Sequence, residues 1–178
     1  MKKIFIIFAI TLAVLAAAYS YLYFFTENFV APVSSFEDCA RVGYPVQESY
    51  PRRCVGPEGK TFTEDIGNTL EKADLIRVAT PRPGDTVSSP FVAEGEARGY
   101  WYFEASFPVR VKDSAGNELG VGIAQAQSEW MTTEFVPFKA EVSFRTPTTA
   151  TGTIVFEKDN PSGLPEHDDE LRVPVRFY

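Results

Sequence analysis

The stretch from Gly99 to Lys112, which reads GYWYFEASFPVRVK, decides the fold. From Trp101 to Val111 apolar side chains occupy nearly every second position, and mostly polar side chains lie between them. In an extended strand successive side chains point to opposite faces, so this alternation predicts a strand with one face in a core and the other in water. The run DSAGN at residues 113–117 predicts a turn after it.

Shorter runs with the same two-residue period surround this stretch and are separated by Pro, Gly and Asp. They predict strands at residues 75–80, 91–97, 119–124, 138–144, 152–157 and 171–177. About seven strands in roughly 105 residues, without a run of helical period, favour an all-β fold, an immunoglobulin-like antiparallel β-sandwich over residues 74–178. Because Pro174 has no N–H, we expect the last strand to lie at an edge or to pair on one side there. The core candidates are Trp101, Phe103, Phe107, Trp130, Phe138 and Phe144.

The composition of the whole chain limits its function without defining it. The 178 residues include one His, two Cys and 24 acidic residues, and the formal net charge is -7. A zinc site of Cys and His needs four ligands, more than these residue types supply. Phosphate binding needs clustered Lys and Arg, so the acidic balance argues against a nucleic-acid partner. The scarcity of catalytic residue types favours a role in binding.

Residues 4–25 form an uncharged stretch, IFIIFAITLAVLAAAYSYLYFF, that follows Lys2 and Lys3. A helix of this length spans roughly 30 Å of hydrocarbon, which predicts an N-terminal transmembrane helix within residues 1–25. By the positive-inside rule the N-terminus lies in the cytoplasm and the rest of the chain outside. The alternative is a signal peptide cleaved near Ala18, since Ala16–Ala18 fits the small-residue pattern, and the protein would then be secreted.

The cysteines Cys39 and Cys54 lie in this predicted external part, where disulfides persist. A bond between them would close a loop of about 15 residues and stabilise the segment by roughly 3 kcal/mol. We therefore predict a disulfide-stapled spacer or docking segment at residues 36–66, between polar connections at 26–35 and 67–73. A reactive thiol pair is the alternative, although no CxxC spacing supports it.

Ordered motifs of the predicted β domain resemble a known family. They are IRV at 76–78, PRPG at 81–84, GEARG at 95–99, WYFEASFPV at 101–109, the stretch 125–135 and EKDNPSG at 157–163. Over residues 75–177 the chain resembles the immunoglobulin-like domain family of bacterial spore germination proteins. The resemblance implies an extracytoplasmic bacterial β-sandwich with no assigned catalytic residues, and it does not imply sporulation here. With the N-terminal stretch, it predicts a single-pass protein of the bacterial cell membrane.

The acidic stretch EKDNPSGLPEHDDE at residues 157–170 contains oxygen ligands of the kind that calcium prefers. The candidate ligands are Asp159, Asn160, Glu166, Asp168 and Asp169. Their spacing matches no EF-hand loop, so a solvated loop is favoured, and we expect no metal and no cofactor. His167 lies among these acids, and a surface histidine without a task is the simplest interpretation of it.

Two further groups of side chains suggest function. Tyr100 and Tyr102 have the parity opposite to Trp101, so they are candidates for a binding surface, unless they pack beneath a loop. The carboxylates of Glu94, Glu96 and Glu104 suggest a glycosidase pair, although their alternation along strands is typical of solubilising charge.

These observations predict a membrane-anchored envelope protein that is not an enzyme. The membrane contact is made through residues 4–25, and the immunoglobulin-like domain binds an envelope protein or a cell-wall polymer through a sheet face or the loops at one end. The alternatives are a carboxylate-based cell-wall hydrolase and a calcium-dependent adhesion module.

Overall fold

Two compact units divide the chain, the first ending at Glu64 and the second beginning at Asp65. The computed structural model describes residues 2–28 and 32–178. The first unit contains α1 (Lys2–Asn28), α2 (Phe36–Val42), β1 (Val46–Gln47), β2 (Arg53–Val55) and β3 (Thr61–Thr63). The second contains α3 (Thr69–Lys72), β4 (Ile76–Thr80), β5 (Thr86–Val87), β6 (Phe91–Arg98), β7 (Ser106–Asp113), β8 (Glu118–Ala126), β9 (Phe135–Val142), β10 (Thr151–Glu157) and β11 (Glu170–Phe177).

Helix α1 covers the uncharged N-terminal stretch. It contains no Pro or Gly that would weaken its backbone hydrogen bonding. Among the described residues, no helix combines the length and the apolarity that a membrane span requires. The transmembrane helix predicted within residues 1–25 therefore stays a prediction. Some of its side chains, and residues 29–31 of the predicted connection, lie outside the described residues.

The predicted disulfide between Cys39 and Cys54 is confirmed, with the two Cα atoms 6.0 Å apart. It joins α2 to the middle strand of a small antiparallel sheet of order β1-β2-β3. Helix α2 begins at Ser35, whose Oγ accepts a hydrogen bond of 3.0 Å from Asp38 N. It ends at Gly43, whose φ of 93° suits glycine. The buried interior of this unit consists of Phe36, Cys39, Cys54 and Phe62.

The eight strands of the second unit form one sheet of order β4-β6-β9-β8-β7-β10-β11-β5. Neighbouring strands are antiparallel, except that β5 pairs in parallel with the end of β11. Two strands separate β9 from β10, so a flat sheet would hold them roughly 14 Å apart. The rings of Phe138 on β9 and Phe156 on β10 are nevertheless 5.8 Å apart. The sheet therefore curls until its two halves pack against each other.

The core lies inside this curled sheet. Burial alternates along β7 and β11, as their sequence period predicts. The rings of Phe107 and Phe138 meet edge to face at 5.0 Å, a favourable aromatic geometry. The predicted β architecture of this unit is confirmed, as one curled sheet with a core between its two halves. It has eight strands where about seven were predicted, because β5 has only two residues and shows no period.

The first part of the decisive stretch does not form the predicted strand. Gly99–Trp101 is a 3₁₀ turn. Phe103 and Ser106 then exchange backbone hydrogen bonds of 3.0 and 3.1 Å around a two-residue turn, and β7 begins only at Ser106. The strand predicted from Gly99 is therefore wrong before Ser106. The sequence keeps its alternation of apolar residues through this turn, so the period does not reveal the break. In the structure the alternation of burial is lost, because the neighbours Trp101 and Tyr102 both pack inward.

The polar connection predicted at residues 67–73 includes α3 and belongs to the second unit, where it covers the outer edge of β11. Asn68 Nδ2 donates to Glu170 O at 2.9 Å, and Asn68 Oδ1 accepts from Arg172 N at 2.7 Å, as a neighbouring strand would. Farther along, Pro174 presents no N–H, and its carbonyl accepts from Gly84 N at 2.9 Å. This edge is thereby protected from pairing with another chain.

Candidate binding surface

The two tyrosines predicted to form a binding surface have different environments. Tyr100 is 50% exposed. Tyr102 is buried, its hydroxyl donates a hydrogen bond of 2.6 Å to Val136 O, and burial raises the pKa of this hydroxyl. The prediction is therefore wrong for Tyr102, because the 3₁₀ turn breaks the assumed alternation. Of the pair, Tyr100 alone is available to a partner.

The turn after Tyr102 has a strained backbone. Its two central residues, Glu104 and Ala105, have φ of 49° and 62°. This left-handed geometry in a two-residue hairpin turn is normally occupied by Asn and Gly, and a side chain there costs on the order of 1 kcal/mol per residue. Phe103, predicted in the core, is instead 40% exposed at the start of this turn.

A second loop, residues 127–134, packs beside the 3₁₀ turn. Gly99 N donates to Glu134 O at 3.1 Å. A Cβ on Gly99 would lie 2.0 Å from Thr132 O, so this approach requires glycine. The loop carries Met131, which is 74% exposed, and Trp130, which packs partly against the core. The apolar residues of these two loops are called the aromatic end and consist of Tyr100, Phe103, Trp130 and Met131.

The third loop at this end, residues 158–169, brings a carboxylate beside the turn. Asp159 N donates to Trp101 O at 3.0 Å. Burial raises the pKa of the Asp159 carboxyl, and the nearby negative charge of Glu104 raises it further. Within the described part of the chain, neither carboxylate forms an ion pair. The buried indole N–H of Trp101 also has no hydrogen-bond partner among these residues, which costs about 1–3 kcal/mol.

The five predicted calcium ligands do not form a site. Asp169 pairs with Lys72 Nζ at 2.5 Å, and Asp168 Oδ1 accepts from Asn160 Nδ2 at 2.7 Å. Glu166 lies with His167 on an exposed 3₁₀ turn, Pro165–His167. No group of three or more Asp, Glu, His or Cys side chains within residues 2–28 and 32–178 is arranged to hold a metal ion. The calcium set Asp159, Asn160, Glu166, Asp168 and Asp169 is thus dispersed among other contacts.

The three carboxylates considered for hydrolysis also have separate roles. Glu94 pairs with Lys139 at 2.7 Å, and Glu96 pairs with Arg77 at 3.0 Å, both on the outer face of the sheet. Glu104 lies on the strained turn instead. These side chains therefore do not form an acid and nucleophile pair.

A groove of about 800 Å³ lies beside the third loop. Its lining includes the ion pair of Lys72 with Asp169 and that of Arg172 with Glu170. These charges already neutralise one another. The lining is polar, so the groove lacks the apolar walls typical of a small-molecule site. It is a polar border to the aromatic end.

The comparisons with known proteins give one finding for the region that contains these loops. The family described as the immunoglobulin-like domain of bacterial spore germination matches residues 75–163, half of the chain. The chain belongs to this family. No curated protein and no solved structure gives a significant match. The match ends within the third loop, before the final strand that the sequence resemblance included. All four residues of the aromatic end lie inside the immunoglobulin-like family match.

Sequence reasoning missed Phe103 and Met131 as surface residues of this family domain. Phe103 has the parity of the core, so its exposure depends on the turn that follows it. Met131 lies in a polar loop without periodicity, and its only signal is a large apolar side chain among Ser, Thr and Glu. Such a residue is expected to be exposed and therefore available for contact.

Proposed function

We propose that this protein is a non-catalytic binding or assembly protein of the bacterial envelope. In this proposal residues 4–25 anchor it in the membrane, and the immunoglobulin-like domain contacts a partner outside through the aromatic end. The observation that carries the binding role is the group of exposed apolar side chains on two loops at one end of a rigid β-sandwich. Exposed aromatic residues and Met are enriched in the centres of protein interfaces.

The backbone of the same loops supports this role. Two residues with strained φ and an unpaired buried indole N–H concentrate at the aromatic end. Departures from favourable local geometry cluster at functional sites, because the surrounding fold compensates for them. A sandwich whose loops served only as connections would gain stability by replacing Glu104 and Ala105 with Asn and Gly.

The membrane anchor in this proposal is supported by the sequence. Residues 4–25 contain no charged side chain, and Lys2 and Lys3 precede them. An uncharged stretch of this length is typical of a membrane span, and flanking lysines favour the cytoplasmic side. The disulfide of the first unit is consistent with an oxidising location outside the cytoplasm.

The proposal is tested with single cysteines in intact cells. Tyr100→Cys and Met131→Cys place a thiol on the aromatic end, and Ile123→Cys places one on the outer face of β8, where Ile123 is 49% exposed. A membrane-impermeant reagent that is thiol-reactive and photoactivatable should label all three variants. After irradiation, only the two variants of the aromatic end should yield a discrete cross-linked product.

The matched Ile123→Cys variant separates the two parts of the proposal. A failure to label any variant in intact cells, with labelling restored by lysis, would contradict the external location. Labelling of all three with equal cross-linking from Ile123→Cys would contradict a specific role of the aromatic end. The native cysteines should not react, since Cys39 and Cys54 are bonded to each other and fully buried.

A further inference from the structure

Acidic residues are distributed very unevenly over the second unit. The aromatic end lies at the end of the sandwich where four loops meet: residues 65–75, 99–105, 127–134 and 158–169. Their acidic residues are Asp65, Glu71, Asp74, Glu104, Glu129, Glu134, Asp159, Glu166, Asp168 and Asp169, against the two lysines Lys72 and Lys158. The loops at the opposite end carry Asp85 as their acid, with Arg82 and Arg145 as bases.

The two groups of acids also differ in their ion pairs. On the strands, Glu94, Glu96, Glu118, Glu157 and Glu170 each pair with a lysine or arginine. In the four loops, the described ion pairs reach only Asp169 and, at 3.7 Å, Glu134. Five strand carboxylates are therefore paired within the domain, whereas eight of the ten acids in the four loops have no ion-pair partner among the described residues.

We propose that the aromatic end binds an extended, lysine- and arginine-rich segment of a partner protein. This inference rests on the proposed function and deepens it by giving the chemistry of the partner. Charge complementarity selects the occupant, because the carboxylates attract cations and repel anionic polymers. A second copy bound end to end would bring two acidic surfaces together, which disfavours self-association at this site.

The apolar residues explain why a peptide fits better than a simple ion. Lysine and arginine side chains carry apolar stems that pack on rings, while their charged groups reach neighbouring carboxylates. Tyr100 and Phe103 supply exposed rings, and Glu104 is the next residue after Phe103, on the turn. A cation over such a ring gains a further electrostatic attraction. Aromatic faces and uncompensated acids together match a basic peptide.

The chain contains its own reporter for this binding, because its two tryptophans are Trp101 and Trp130, both in loops of the aromatic end. The full-length protein in zwitterionic detergent is titrated with a short peptide of alternating lysine and alanine, and tryptophan fluorescence is recorded. The same peptide with glutamate in place of lysine is the negative probe. We expect saturable binding of the lysine peptide alone, weakened about tenfold or more by a rise in salt from ~0.05 M to ~0.3 M.

Two matched double variants test the site. Glu104→Gln with Asp159→Asn should weaken binding about tenfold, the effect of losing roughly 1.4 kcal/mol. Glu118→Gln with Glu141→Gln removes the same net charge from exposed strand positions and should change the affinity less than about twofold. Tyr100→Ser should also weaken binding, since the ring contributes packing that salt does not screen.

Three outcomes would overturn the inference. Equal weakening by both double variants would show attraction by net charge alone. A fluorescence change with calcium that chelator reverses, and that abolishes peptide binding, would identify the end as a metal site. If Tyr100→Cys cross-links to a partner in cells but the lysine peptide does not bind, the partner chemistry is wrong while the proposed binding function stands.

Discussion

The two units of this protein solve the same problem of stability in different ways. The first buries four core side chains, two of which are joined as a disulfide. The second buries a continuous core of alternating strand residues in which the rings of Tyr102, Phe107, Phe138 and Phe156 follow one another at 5.0–5.8 Å. A small segment buries too little apolar surface to fold on its own, so a covalent link replaces packing there.

The buried carboxylates of the two units show the same contrast. Glu64 in the first unit is held by the guanidinium of Arg52, which also lies over the ring of Phe36 at 5.3 Å. Asp113 in the second unit is held inside its own turn by the side-chain amide of Asn117 and by the backbone N–H groups of Ala115 and Asn117. A hydrogen bond to the charged form lowers the pKa of both carboxyls. The buried carboxylate of the small unit is thus held by a side chain from another part of the chain, and that of the large unit mainly by its own turn.

We expect the largest loss of stability from a substitution in the packed core of the second unit. Phe138→Ala removes a fully buried ring that contacts both Phe107 and Phe156, and should lower the free energy of unfolding by about 3–5 kcal/mol. Hydrogen exchange of the full-length chain, read by mass spectrometry, should show faster exchange throughout residues 65–178, while residues 36–63 stay protected. Phe103→Ala, at a half-exposed ring, is the matched control and should change little. A loss of protection in both regions would mean that the two units fold as one.

How much of this contrast the sequence predicts depends on whether a feature is local. Strict alternation from Phe107 to Val111 identifies β7, and the two cysteines identify the staple, because each pattern lies within a short span. The turn at Glu104–Ala105 has no Asn or Gly to mark it, and its apolar neighbours keep the strand period. The carbonyl of Ala105 instead accepts from Ala126 N at 2.8 Å, a contact with the end of β8 that no local pattern contains.

The same reasoning applies to the candidate site. Tyr100 was predictable as a surface residue from its parity, whereas Tyr102 has the same parity and is buried. The difference arises because side chains in a 3₁₀ turn repeat their direction every three residues, whereas those in a strand repeat it every two. The excess of acidic residues at one end could be recognised only after the strand order had shown which four loops meet there. Without the strand order, those acids are scattered along the chain.

The second prediction removes the covalent link of the first unit. Cys39→Ala with Cys54→Ala leaves Phe36 and Phe62 as its main core and releases a loop closed over 15 residues, at a loss of about 3 kcal/mol. Residues 36–63 should then exchange within the time of unfolded peptides, while residues 65–178 exchange as before. Reduction of the native chain should reproduce this pattern. Retained protection of residues 36–63 would show that packing alone holds the small unit.

The smallest effect concerns the ion pair of Arg52 and Glu64. Because Arg52 is about half exposed, Glu64→Gln should destabilise the first unit by only about 1–2 kcal/mol near neutral pH. The folded-state pKa of Glu64 is lowered, so its contribution is present above the unfolded pKa of about 4.3 and is lost as the pH falls through the folded value. Exchange of residues 36–63 in the native chain should therefore accelerate relative to Glu64→Gln as the pH falls below about 4.

The matched control replaces Glu48, an exposed acid of the same unit. Glu48→Gln should leave this pH dependence intact, because Glu48 is not part of the buried pair. Equal effects of the two variants would assign the pH dependence to general charge and not to the pair of Arg52 and Glu64.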